Sequence, residues 1–293
     1  NRRIFNENQE YFKMLLENVF RNDSEKLTRV FNKQYDKVII KGDLDLAFEG
    51  IQSLPDNLHV GGNLNLFECK NLQSLPDNLY VGGNLNLFEC KNLQSLPDNL
   101  YVKGHLNLRG TPIQSLPDNL YVGGNLDLEG TPIQSLPDNL YVGGWLWLGK
   151  TPIQSLGNNL YVGESLDLGG TQIQSLPDNL HVGGNLFLYG TPIQSLPDNL
   201  RVGENLDLRG TPIQSLGDNL YVGEDLDLRG TPIQSLPDNL HVVGSLSLEG
   251  TQIQSLPDNL HVTNTIYIAR TPLNDNDKLV KKYSKKYKIN STS

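Results

Sequence analysis

A chain of 293 residues, 37% hydrophobic and 19% charged, has room for two compact domains or one long array of repeats. Its net charge of −9 is uneven: seven Lys and Arg from Arg270 onward, against Asp275 and Asp277, leave residues 1–269 at −14. A body this acidic excludes a phosphate backbone as the main partner, no apolar run reaches the roughly 18 residues of a membrane span, and Cys69 and Cys90 alone make no disulfide framework.

The opening stretch, "NRRIFNENQEYFKMLLENVF", is interrupted by charges throughout and lacks the apolar centre of a signal peptide. It starts at Asn rather than Met, so residues preceding Asn1 are expected. Such a chain suits the cytoplasm, secretion without a cleavable signal, or a virion. Tyr11, Phe12, Leu15, Leu16 and Val19 share one face of a helix predicted from Glu7 to Phe20. A second helical turn starting at Ser24 would carry Leu27, Val30 and Phe31. Residues 1–37 are therefore predicted to form an N-terminal helical cap.

Residues 38–273 repeat one phrase, L-P-D-N-L-Y-V-G-G-N-L-D-L-R-G-T-P-I-Q-S. Its first Leu falls at 54, 75, 96, 116, 136, 156, 176, 196, 216, 236 and 256. A fixed period of about 20 residues marks a solenoid, in which each unit buries its apolar side against its neighbours. "NLDLRG" alternates strictly, so its leucines point inward and the side chains between them outward. Twelve such L-x-L segments, stacked in parallel at about 4.8 Å, predict one curved sheet with turns or 3-10 structure on the other side. "SLPD" reads as a capping box, and "VGG" supplies backbone conformations closed to other residues. Thr111, Thr131, Thr151 and their successors place a hydroxyl where it can satisfy buried loop backbone.

The pattern L-x-L-x-x-T-x-I-x-x-L-P resembles the leucine-rich repeat, with Thr in the usual Asn or Cys position. In "LNLFECKNLQSL", Cys69 and Cys90 occupy that position. The short period with L-P is most similar to the repeats of bacterial secreted effectors of the YopM and IpaH kind, and similar repeats occur in phage and large-virus proteins. "LPDNLYVGG" stands where those effectors have a Pro-rich segment. The resemblance implies a leucine-rich-repeat-like solenoid, a helical pair at its N-terminus, and protein recognition. Both ends of a solenoid need covers. At the C-terminus residues 274–293 supply a predicted helix from Asp275 to Tyr287, presenting Leu279, Val280 and Tyr283, and a Lys-rich tail.

Function in a solenoid is read by column. The Asp column from Asp56 to Asp258 is assigned to capping rather than to calcium, since the Gly- and Asp-rich calcium nonapeptide is absent. His59, Tyr80, Tyr101, Tyr121, Tyr141, Tyr161, His181, Arg201, Tyr221, His241 and His261 form a column read as a structural ring ladder. Cys69 and Cys90 read as buried thiols, with a disulfide between adjacent rungs geometrically open. No Ser-His-Asp set, metal set or phosphate loop is present, so neither a catalytic residue, a metal nor a cofactor is assigned.

The outward strand columns vary, and there the aromatics gather. Trp145 and Trp147 fall on one rung and Phe187 and Tyr189 two rungs on, with Ser165, Asp167 and Gly169 between. Two rungs span roughly 10 Å, wide enough for a planar group between aromatic walls with Asp167 at the floor. Arg209 and Arg229, with Asp207, Asp225 and Asp227, form a charged stretch beside them. Exposed aromatics mark binding hot spots and a polar rim is usual around them. The sequence thus predicts a non-catalytic scaffold that binds a protein partner through Trp145, Trp147, Asp167, Phe187, Tyr189, Arg209 and Arg229. A glycan or small ligand held between the aromatic walls is the alternative, and mutual covering of the four rings is the structural one.

Overall fold

The computed structural model describes residues 38–292 and the backbone of three short strands ahead of them, Leu27–Thr28, Phe31–Asn32 and Tyr35–Asp36. The helix expected from Glu7 to Phe20 lies outside the described residues. The helical turn expected from Ser24 is replaced by strand: Leu27–Thr28 pairs antiparallel with Ile39 and Ile40, and Phe31–Asn32 with Tyr35–Asp36. Val38–Ile40 is the first strand of a parallel sheet, and an incoming strand satisfies its otherwise open edge.

The chain is a parallel β-solenoid, divided into two compact units, Asn1–Gly144 and Trp145–Ser293. Each turn lays down two short strands, so each unit carries two parallel sheets. In the first unit one sheet runs from Val38–Ile40 through Leu58–Val60 to Tyr141–Val142, and the other from Leu44–Asp45 to Leu126–Asp127. In the second, Tyr161–Val162 to His261–Val262 form one sheet, and Leu146–Trp147 to Thr265–Tyr267 the other.

The second sheet departs from the single curved sheet expected from the L-x-L pattern. Tyr and Val are good strand formers, and the dipeptide is bracketed by tight turns. Every unit carries the dipeptide at the same place in its phrase, so Tyr101 falls in register with Tyr80, 21 residues before it, and Tyr121, 20 after, and an extended dipeptide repeated in register pairs with its own copies.

Local chemistry explains the turns. No helix follows "SLPD"; the Asp-Asn pair makes a turn in which Asn199 and Asn219 take left-handed backbone (φ 59° and 56°), a region Asn tolerates. The glycine pair serves close approach rather than unusual φ: a Cβ on Gly183 would sit 2.1 Å from the Gly163 carbonyl oxygen of the preceding rung. Left-handed glycines lie instead before Thr, at Gly170 (φ 68°) and Gly190 (φ 67°). The Thr hydroxyls act as expected, Thr171 donating to Leu168 O at 2.7 Å and Thr191 to Leu188 O at 2.8 Å.

Inside, the six apolar positions of a turn are closed from water, as in Leu176, Leu180, Val182, Leu186, Leu188 and Ile193, with Leu156 and Val262 only half-buried. Cys69 and Cys90 are free and buried, their thiols donating to Leu46 O and Leu66 O. Burial pushes the Cys69 thiol up to about 12 and the Cys90 thiol up to about 11, which leaves both protonated and unreactive.

At the C-terminus a helix spans Asp277–Tyr283, shorter than the Asp275 to Tyr287 expected and capped by Asn276, whose side chain accepts from Leu279 N. Tyr283 OH donates to Leu256 O at 3.0 Å and Tyr287 OH to Leu260 O at 2.7 Å, pinning the helix and its C-terminal extension to the last turn. The chain then returns as a further strand, Lys288–Asn290, parallel to Thr265–Tyr267.

Candidate functional site

Three columns face outward on the Leu-x-Leu sheet, and the fold itself accounts for most of the residues in two of them. In the column before the first strand leucine, polar side chains accept a hydrogen bond from the backbone N–H one rung on. Asn205 N donates to Asn185 Oδ1 (3.1 Å), Asp225 N to Asn205 Oδ1 (2.9 Å) and Ser245 N to Asp225 Oδ1 (2.6 Å). The first unit does the same, with His105 Nδ1 accepting from Asn125 N at 2.8 Å. In the column between the leucines, Asn or Asp closes a local turn two residues on. Gly169 N donates to Asp167 Oδ1 (2.9 Å), Arg209 N to Asp207 Oδ1 and Arg229 N to Asp227 Oδ1 (both 3.1 Å).

Trp145 stands in the first column and Trp147 and Phe187 in the second. An indole N–H only donates and a phenyl ring does neither, so none of the three can accept these bonds. The aromatics therefore sit where the repeat elsewhere uses its side chains to hold itself together.

The rings meet one another. Trp145 and Trp147 are 5.7 Å apart between centroids at 23°, and Trp145 reaches Phe187 at 6.3 Å and 25°. Both values lie within the contact range of aromatic pairs, roughly 4.5–7 Å. Trp145 thus spans the intervening rung, whose Ser165 is 2% exposed and offers no bulk to obstruct it. Tyr189 leans the other way: a Cβ on Gly169 would sit 2.1 Å from Tyr189 Cζ. The slot expected between aromatic walls is filled by the rings themselves, leaving Trp145, Trp147 and Phe187 half-buried and Tyr189 42% exposed.

Asp167 lies in register between Trp147 and Phe187. Its negative charge, followed by burial and Asp207, raises the Tyr189 phenol above its ordinary value, and Arg209 opposes the rise. Next to Phe187 come Asp207 and then Asp227. Arg209 grips Asp207 through Nε at 2.9 and 3.0 Å and approaches Asp227 Oδ2 at 3.5 Å; Arg229 grips Asp227 in the same way. Trp145, Trp147, Asp167, Phe187, Tyr189 and Arg209 thus form one continuous strip, and Arg229 ends it.

The other sheet carries the ring ladder. In the first unit His59, Tyr80, Tyr101, Tyr121 and Tyr141 stack at 4.1 to 5.1 Å, within 6° of parallel. Their faces cover each other and leave edges to solvent, as a structural ladder requires. Stacking also brings His241 to 4.1 Å from His261, although a full repeat of sequence separates them. A smaller patch joins Phe48, 70% exposed and outside the columns, to Phe67 and Phe88, which share the third column. Phe48 follows Leu46 by two residues, one place later than Phe67 follows Leu66, which takes it out of the column. Among the described residues no three His, Cys, Asp or Glu side chains converge as a metal-holding group, and no helix is long and apolar enough to cross a membrane. No family model matches the chain, and no curated protein matches it.

Proposed function

We propose that the chain is a non-catalytic scaffold that grips a protein partner on the outward Leu-x-Leu face of its second unit. Trp145, Trp147, Phe187 and Tyr189 form the centre of that face, and Asp167, Arg209 and Arg229 its polar rim. One observation carries the reading: three aromatic residues replace the Asn, Asp or Ser that would otherwise accept a backbone hydrogen bond. A repeat that forgoes those bonds, about 1 kcal/mol each, and keeps three half-buried rings beside an exposed Tyr189 on one outward face has a use for that face. A sugar or other flat ligand between aromatic walls loses its slot, since Trp145 already lies against Phe187. On the leucine-rich phrase alone, we propose as its setting an effector or a viral or phage interaction protein.

The test is to give the repeat back its own residue. In W145N/W147N/F187N each new side chain can accept the missing bond, about offsetting the stacking lost, roughly 0.5–1.5 kcal/mol per pair. Unfolding free energy is expected within about 1 kcal/mol of wild type, while affinity for captured partners falls tenfold or more, as truncation of hot spots does. A marked loss of stability with unchanged capture would assign the rings to the fold instead.

A further inference from the structure

We infer that the segment bound on this face is cationic: an aromatic or aliphatic anchor seated on the Trp147–Trp145–Phe187 surface, with Lys or Arg three to four residues along its chain. This rests on the protein-binding reading and adds to it the sign of the partner's charge and the spacing of its groups.

Two independent features agree on the sign. The faces of indole and phenyl rings carry negative potential and attract ammonium and guanidinium groups. The carboxylates beside them are divided in kind. Asp207 and Asp227 are matched by Arg209 and Arg229 on the Tyr189 side of the strip. On the Trp145 side, Glu204 and Glu224 are exposed and are held by amide donors, Asn185 Nδ2 at 2.7 Å and Asn205 Nδ2 at 3.0 Å. Asp225, also exposed, accepts from the backbone N–H of Ser245. These donors are neutral, so they orient the three carboxylates without cancelling their charge. An acidic segment would meet repulsion here, and a neutral one would leave the row unmatched.

Register sets the spacing. Phe187 pairs with Asp207 and Asp207 with Asp227, so Glu204 stands one rung beyond Phe187, and Glu224 and Asp225 two. All three also lie two or three positions before the Phe187 column along the chain, so at about 4.8 Å per rung and about 3.3 Å per residue they stand roughly 11–14 Å from Phe187, which an extended chain covers in three to four residues.

The experiment pans a displayed library of random dodecapeptides against three full-length baits: wild type, E204Q/E224Q and W145N/W147N/F187N. Gln keeps the oxygen that accepts from Asn185 and Asn205, so only charge is removed. Wild type is expected to enrich peptides with an aromatic or aliphatic residue and Lys or Arg three to four positions away. Those peptides should bind E204Q/E224Q at least tenfold more weakly and lose affinity as salt rises. Enriched peptides without excess Lys or Arg, retained by E204Q/E224Q but lost on the Asn triple variant, would overturn the inference and leave the protein-binding surface standing. Peptides that bind all three baits alike, or no enrichment on wild type, would overturn both.

Discussion

Single positions in this protein are constrained by the backbone groups they answer. Thr171 shows the rule: its hydroxyl donates to Leu168 O at 2.7 Å inside a core closed to water. Thr171→Val keeps the shape and removes the donor, so it should lower the unfolding free energy by about 1 kcal/mol, measured by denaturant titration. Trp145 breaks such a rule, and this is why the sequence exposed it as the one apolar ring in a polar column. What the column could not tell is the direction a ring leans. Ser165, Asp167 and Gly169 read as an open gap with Asp167 at its floor, whereas the smallness of Ser165 and Gly169 lets Trp145 reach forward and Tyr189 back until the gap closes.

The solenoid's strands are two or three residues long, stable only because nearly every one is paired on both sides by a neighbouring turn's copy. The ring ladder on the Tyr-Val sheet shares that dependence, and it titrates. His241 is stacked between Tyr221 at 5.1 Å and His261 at 4.1 Å. Burial, and then the His261 charge, lowers its pKa from the usual 6.5. The folded state thus favours neutral imidazole, while the unfolded chain takes up a proton first as pH falls. Stability is complete above about 6.5 and declines as pH drops through the folded value. Unfolding free energy measured from pH 7.5 to pH 5 should therefore fall less in H241Y, which keeps a ring in the stack and removes the imidazole. An equal fall in both chains would assign the acid sensitivity to other groups.

For the molecule as a whole, stability is a sum over neighbouring turns, and its ends are the exposed points. The C-terminal segment covers one: Tyr283 and Tyr287 bond to the last turn's backbone, Lys288–Asn290 pairs with Thr265–Tyr267, and lysines line the outside. Charged lysines on an edge discourage pairing with another sheet. Removing residues 275–293 should uncover the Thr265–Tyr267 edge and produce concentration-dependent association on size-exclusion chromatography, while the intact chain at the same concentration elutes unchanged.

Repetition made the architecture legible. A period of 20 or 21 residues with inward Leu, Val and Ile forces turns to stack in register, because no single turn can bury its apolar side alone, and the buried set read from the phrase is observed except at Leu156 and Val262. Register likewise carried the aromatic residues into one neighbourhood on paper. Tertiary structure decided the rest: that Tyr-Val becomes a second sheet, that strands replace helix at Leu27 and Phe31, that Gly183 serves close approach, and that Trp145 fills its own slot. Each of these depends on which atoms from the next turn arrive at a given point, and that distance is a property of the stack rather than of any one repeat.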